Sequence, residues 1–317
     1  MKTERKSKLV IIGGGTGLSV LLRGLKKYPV DITAIVTVAD DGGSSGRLRD
    51  EFSIPPPGDV RNVLAALSDV EPFVEALFQH RFTSGEGLTG HALGNLLIAG
   101  MTAITGDFFH AITEMSKVLN VRGRVLPAAN QSVVLHAQLE DGRVVTGESK
   151  IPYYGKKIER VFLTPEDVEP LRETLNEIKR ADMIVLGPGS LYTSILPNLI
   201  VKRIGQAVIA AKAQKVYVCN VMTQAGETMG YKASDHVQAI HKHLGDSVIN
   251  TIIVNNGRVP ESVLNRYEKE SSVPVECDRE NLEKLSLNVI ADEIIQYDDG
   301  VIRHNTIKLA SILYSLI

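Results

Sequence analysis

Apolar positions along the chain change their spacing several times, and each change marks an element. Residues 8–12 are a short buried strand, Lys8 followed by four apolar residues without a break, as expected of a strand covered on both faces. A glycine turn at 13–17 interrupts it, and 18–27 repeat their apolar residues at helical spacing. Tyr28-Pro29 ends that helix and a second apolar run follows at 32–39, so the opening segment predicts a β-α-β unit. Helical spacing returns at 59–67, 72–80, 91–104 and 108–119. From 124 to 163 the period shortens toward two, with 132–139 and 143–148 flanking Glu140-Asp141-Gly142. Its Asp-Gly pair is a strong hairpin signal, and 124–163 are expected as a small antiparallel β insertion. Strands at 183–186, 215–221, 250–254 and 273–276 then alternate with helical segments. The predicted fold is α/β: a Rossmann-like, mainly parallel sheet covered by helices, within one nucleotide-binding domain over 1–317. Residues 305–317 are apolar enough to dock on the core as a final helix; pairing with another copy in a homo-oligomer is the lesser expectation.

Composition narrows the function classes. The chain has 317 residues, 44% hydrophobic and 23% charged, enough for a large core. A formal net charge of −2 offers no general attraction to nucleic acid, so no nucleic-acid partner is expected. Cys219 and Cys277 sit outside any metal-ligand or disulfide spacing, which suits reduced thiols and a cytoplasmic location. Residues 1–8 are basic and polar, unlike a signal peptide or membrane span. The apolar window 92–104 contains Gly94, Asn95 and Gly100 and is expected as a buried helix rather than a bilayer span.

Three polar stretches stand where strands hand over to helices. Gly13, Gly14, Gly15, Thr16 and Gly17 follow the first strand, where backbone N–H groups and a helix N-terminus favour a phosphate. The glycine spacing satisfies neither a dinucleotide fingerprint nor a Walker A loop, since Leu18 occupies the third glycine position and no lysine follows. After the second strand comes Asp40-Asp41-Gly42-Gly43-Ser44-Ser45-Gly46-Arg47-Leu48-Arg49, expected as a loop whose glycines, hydroxyls and arginines bind phosphate. Asp40 and Asp41 are candidate Mg²⁺ ligands and candidate catalytic groups; an ordinary solvated carboxylate pair has the same sequence. A second strand-to-helix turn holds Gly187, Gly189, Ser190 and Thr193, where the hydroxyls cap a helix or donate to phosphate. In an open α/β sheet such turns converge beyond the carboxyl ends of the strands. Asn62 rather than its neighbour Arg61 is expected to face that crevice, and Asp59 beside it reads as a helix cap. His91 and Asn95 lie one helical turn apart and form either a buried pair or a ligand contact. Asn220, Thr223 and Gln224 end a later strand and are placed at the rim.

Together these motifs resemble the YvcK-like gluconeogenesis factor family, related to the 2-phospho-L-lactate transferases that make a deazaflavin coenzyme. The resemblance covers nearly the whole chain and rests on residues 13–17, 40–49, 56–62, 90–96, 187–197 and 220–228; Ala225 departs from it where a proline is expected. It implies a cytoplasmic factor that binds a UDP-sugar, UDP-N-acetylglucosamine above all, and links carbon metabolism to cell shape and envelope synthesis. Arg47 or Arg49 would then hold the diphosphate, and Asn62, Asn95 or Asn220 the polar groups of the ligand. Two alternatives stand beside it. One is a Mg²⁺-dependent phospholactate-type transferase using a nucleotide diphosphate-linked donor. The other, from the first β-α-β unit alone, is an NAD-binding oxidoreductase.

Overall fold

The structure, a computed structural model, describes residues 5–70, 72–298 and 301–317. Its centre is a seven-stranded sheet built from β1 (Lys8–Gly13), β2 (Asp31–Val36), β3 (Arg124–Pro127), β7 (Met183–Leu186), β8 (Gln214–Val218), β9 (Thr251–Asn255) and β10 (Asn288–Asp292). The spatial order is β10-β9-β8-β7-β1-β2-β3, and every neighbouring pair is parallel. β1 is an interior strand: Leu9, Val10, Ile11 and Ile12 are buried and pair on both sides, with Ile12 opposite Ile35 of β2 and Leu186 of β7. The chain runs outward from β1 through β2 to β3, then returns to the other side of β1 at β7. That reversal makes the β1/β7 boundary the topological switch point.

Helices cover the sheet. The first six are α1 (Gly15–Leu25), α2 (Gly43–Phe52), α3 (Gly58–Leu67), α4 (Pro72–Gln79), α5 (Leu93–Thr105) and α6 (Phe108–Val118). Later ones are α7 (Arg172–Arg180), α8 (Leu196–Leu199), α9 (Ile204–Ala210), α10 (Ala233–Leu244), α11 (Glu261–Lys269), α12 (Arg279–Lys284) and α13 (Thr306–Ser315). α13 buries Leu309, Ala310 and Leu313 and packs on α1, where Gly24 lets the Thr306 carbonyl approach, so the terminal helix docks on the core as expected. No single helix among the described residues is long and apolar enough to cross a membrane, and α5 and α6 are bent 120° from each other.

Four expectations need correction. Residues 43–52 are a helix, α2, rather than a loop: Gly43 and Gly46 are confined to its start, and Ser44 is bonded to Asn95 of α5. Arg124–Pro127 of the presumed insertion belongs to the main sheet as β3; the antiparallel sheet is β4 (Val134–Leu139), β5 (Val144–Thr146) and β6 (Ile158–Thr164), in the order β5-β4-β6. Residues 273–276 make only one isolated bridge, Pro274 to Met222, since proline has no N–H to extend a ladder; the outer strand is β10 instead. Finally, α5 is not buried all round: Leu97 and Ile104 face outward. A hairpin of β11 (Ile295–Asp298) and β12 (Val301–His304) also went unpredicted.

Candidate functional site

Beyond the carboxyl ends of β1, β7 and β8 lies a cleft of about 740 Å³. Its floor is the turn between β1 and α1, which needs its glycines for close approach. A Cβ on Gly14 would stand 2.5 Å from Asp59 Oδ2 and from Thr37 Cγ2, and one on Gly17 would stand 2.9 Å from the Pro188 carbonyl oxygen. Gly14, at the N-cap of α1, has no side chain to cap it, the first turn carries no acidic residue of its own, and of its N–H groups the Gly15 one meets the Asp59 carboxyl. The remaining N–H groups and the dipole of α1 therefore favour an anion at that end. The Gly187–Ser190 turn is held against this floor by Asn198, whose Nδ2 donates to the Gly13 carbonyl at 3.1 Å and to the Ser194 carbonyl at 2.7 Å.

The opposite rim is stitched by side-chain amides and hydroxyls. Asn220 Nδ2 donates to Gln224 Oε1 at 3.1 Å, and Gln224 Nε2 donates to Ser190 Oγ at 2.7 Å. Below them the buried Glu227 carboxylate accepts from the Tyr192 N–H at 3.2 Å and from Thr193 Oγ at 3.0 Å. Thr193 is thus part of the scaffold, and burial raises the Glu227 carboxyl to about 7, with the Thr193 and Tyr192 donors pulling the other way. Thr223 lines the cleft while its hydroxyl accepts from the Val273 N–H at 3.0 Å.

Acidic groups collect on the remaining wall. Asp59 and Glu148 both line the cleft. Burial, then the nearby Asp40 carboxylate, raises Asp59 to about 7, opposed by the Gly15 N–H. Burial, then Asp40, Asp59, Glu227 and Asp41, raises Glu148 to about 8. Asp40 Oδ1 accepts from the Gly42 N–H at 2.9 Å and Asp41 Oδ1 from the Ser149 N–H at 2.8 Å, so each has one oxygen committed to the backbone. Among the described residues no three His, Cys, Asp or Glu side chains converge as a ready metal-ligand set. A Mg²⁺ ion here would need oxygens from a ligand as well as from the protein.

Of the residues singled out from the sequence, Gly14, Gly15, Thr16, Gly17, Asn62, Gly189, Ser190, Asn220, Thr223 and Gln224 line one cleft, and Gly13 and Gly187 form the turns behind it. Asn62 faces the cleft while Arg61 is buried against Gln79. The 43–49 segment does not form a wall of it. Ser44 and Asn95 meet in the interior, where Asn95 Nδ2 donates to Ser44 Oγ at 3.1 Å and His91 Nδ1 stands 3.0 Å from the same oxygen. The His91/Asn95 pair therefore fastens α5 to α2. Ser45 packs beside Gly58, Arg47 donates to the Thr89 carbonyl at 2.8 Å, Arg49 pairs with Asp50 at 2.9 Å, and Gly43 is exposed.

Several lining residues escaped the sequence reading. Tyr267, Glu270, Ser272, Arg303 and His304 come from the C-terminal third of the chain. Arg303 is the one arginine or lysine among the described lining residues, and the hairpin that carries it has a sequence signal, Asp299-Gly300, outside the described residues. Glu148 lies past the end of β5 in a 3-10 turn, Glu148–Tyr154, rather than in the strand expected for it.

Fold and cleft together define a Rossmann-like α/β protein with a polar, glycine-floored site at the switch point of its sheet. The chain belongs to the 2-phospho-L-lactate transferase CofD family, whose model matches residues 9–295. Within it, the chain is similar to a gluconeogenesis factor of Bacillus subtilis, 66% identical over 99% of each chain. A gluconeogenesis factor of Halalkalibacterium halodurans is 61% identical, over 96% of this chain and 95% of that one. A crystal structure of a Bacillus halodurans protein superposes with a TM-score of 0.96 at 61% identity, over 98% of this chain and all of that one.

Proposed function

We propose that the cleft binds a nucleoside diphosphate sugar, UDP-N-acetylglucosamine in particular, and that the protein is a ligand-responsive regulator of carbon metabolism under gluconeogenic growth, with effects on cell shape and envelope synthesis. The observation that carries the reading is the pairing, in one cleft, of the glycine floor at the α1 N-terminus with Arg303. The diphosphate lies on the N–H groups of the glycine turn with Arg303 as counter-charge. Asn62, Asn220 and Gln224 supply amide groups for the base and sugar, and Tyr267 an aromatic surface. Names of the similar proteins support the metabolic part of the proposal.

Calorimetry with UDP-N-acetylglucosamine, with and without Mg²⁺, tests the ligand. A saturable heat and an upward thermal shift are expected; neither at millimolar ligand would overturn it. The cellular role is tested by deletion: loss of growth on gluconeogenic carbon sources should be restored by the intact chain and not by Gly17→Val.

A transferase reading is favoured by one feature, the Asp59 and Glu148 carboxyls held near neutrality at the cleft wall, in a family named for a transferase. In that reading a carboxylate takes the proton of an acceptor hydroxyl as its oxygen attacks the phosphorus of a nucleotide-linked donor, and the nucleoside monophosphate leaves. Ligand that binds but emerges unchanged after prolonged incubation with acceptor alcohols would set this aside.

A further inference from the structure

The segment 220–231 serves two cavities. Its first half, Asn220 to Ala225, lines the cleft, whereas Glu227, Met229, Gly230 and Tyr231 line a second cavity of about 670 Å³. The turn after β7 is divided in the same way, with Ser190 and Ser194 on the cleft and Tyr192 on the second cavity. β6, the connection leading into it and α10 complete the wall. The volume is that of a small-molecule site.

Charge in this cavity is arranged differently from the cleft. Lys156 and Lys157 enter from the connection before β6 and Lys242 from α10, and none of these ammonium groups makes an ion pair among the described residues. Lys242 Nζ has only the Glu159 carbonyl, at 3.2 Å. Two of the lining acids are already engaged: Glu227 by the Tyr192 N–H and the Thr193 hydroxyl, Asp235 by the Lys232 N–H at 2.8 Å. Glu140 and Glu159 are exposed to water. His243 is spent on the Ala239 carbonyl and the Val161 N–H, so the positive charge is carried by the lysines. Beside them the Tyr192 and Tyr231 hydroxyls stand 2.7 Å apart.

We propose that this cavity is an effector site for a small polyanion, a phosphate- or carboxylate-bearing metabolite, and that its occupancy is passed to the cleft through Glu227. Lysines converging from two elements suit several negative charges on one ligand. The path to the cleft is short. Glu227 holds Tyr192 and Thr193 in a π-helical turn, Leu191–Ile195, a geometry frequent at functional sites, and Gln224 of the same segment donates to Ser190 Oγ at 2.7 Å. Gly226 ties the segment to a second cleft wall: its φ is +75°, and a Cβ there would run into the carbonyl of Pro152, in the turn that brings Glu148 to the cleft. A ligand that draws the lysines toward Tyr231 therefore bears on two walls of the cleft. The coupling rests on the nucleotide-sugar reading of the cleft; the anion site does not.

Calorimetry at about 50 mM salt, with inorganic pyrophosphate and with citrate as probes, tests the site. Saturable binding of at least one should persist in Arg303→Ala, which removes the cleft arginine, and weaken about tenfold or more when Lys157→Ala and Lys242→Ala are combined, with circular dichroism unchanged. A preference for pyrophosphate identifies a phosphate ligand, and one for citrate a carboxylate. No heat at about 10 mM of either probe, loss in Arg303→Ala, or indifference to the lysine pair overturns the site. For the coupling, bound anion should change the dissociation constant of UDP-N-acetylglucosamine about fivefold or more, and Thr193→Val should reduce that factor while retaining anion affinity. An unmoved constant overturns the effector role. Should the nucleotide sugar itself fail to bind, only the reading of the cleft falls, and amide hydrogen exchange over 191–195 decides the coupling: slowing on anion binding supports it and no change overturns it.

Discussion

The two ends of the central sheet treat charge in opposite ways. At the amino ends of the strands, Asp31 lies 3.6 Å from Lys8 Nζ and 3.3 Å from Arg124 Nη2, and Arg124 also pairs with Glu177. Asp182 accepts from the Lys8 N–H at 2.8 Å and meets Arg5 at 3.0 Å. Every acid there has a cation beside it. At the carboxyl ends, Asp40, Asp59 and Glu148 gather without one ion pair among the described residues, and burial first, then the neighbouring carboxylates, raises Asp59 to about 7 and Glu148 to about 8. Matched charges fasten β1, β2, β3 and β7 in register. The unmatched ones lie beside the glycine floor and the N-terminus of α1, the kind of place where perturbed carboxyls gather at functional sites.

Breaking the floor should have the largest effect. Gly17→Val drives a side chain into the Pro188 carbonyl, and nucleotide-sugar affinity measured by calorimetry should fall by about 100-fold or more, the fold remaining intact by circular dichroism. Next is Arg303, the one arginine or lysine lining the cleft among the described residues. Arg303→Ala should weaken binding by about 10- to 100-fold, with Arg303→Lys recovering only part because the fork is lost.

The uncompensated acids make a pH prediction. Asp59 and Glu148 are raised to about 7 and about 8 from the ordinary carboxyl values of 3.8 and 4.5. The folded protein therefore holds protons that the unfolded chain has released. Their contribution to stability is complete below the unfolded values and is lost as pH rises through the folded ones. The melting temperature should thus decline between about pH 4 and 8. Asp59→Asn or Glu148→Gln should flatten that decline, and an unchanged slope in both variants would mean the two groups are not strained. Glu177→Ala at the other end should instead lower stability by about 1 kcal/mol, near 2 °C in melting temperature, and leave ligand affinity alone. The smallest effect on binding is expected for Arg47→Ala, whose side chain bonds the Thr89 carbonyl; affinity should change less than about twofold. A larger loss would restore the arginine of the 40–49 segment to the site.

Much of this was legible before folding. The opening β-α-β unit, the hairpin at Asp141-Gly142 and the two glycine turns each depend on residues within a few positions of one another, so spacing alone identifies them. Helical geometry set Asn62 and Arg61 in different directions, so that only one could face the cleft; the structure puts Asn62 there. The 40–49 segment misled because glycine, serine and arginine serve equally well in a phosphate loop and at the start of a helix. Ser44 shows the difference: its hydroxyl is spent on His91 and Asn95, about half a hundred residues away in the chain.

Periodicity and glycine placement were sufficient for most of the elements and for the position of the glycine turns, since both are properties of neighbouring residues. Long-range pairing settled the rest. β1 lies between β2 and β7 because its residues pair along both, Ile12 with Ile35 and with Leu186 among them, and that arrangement creates the switch point where the turns converge. Burial then decided which carboxyls stay protonated, and a hairpin from the far end of the chain brought Arg303 to the cleft. Such outcomes depend on desolvation and on contacts between distant segments, quantities that exist only once the chain has closed on itself.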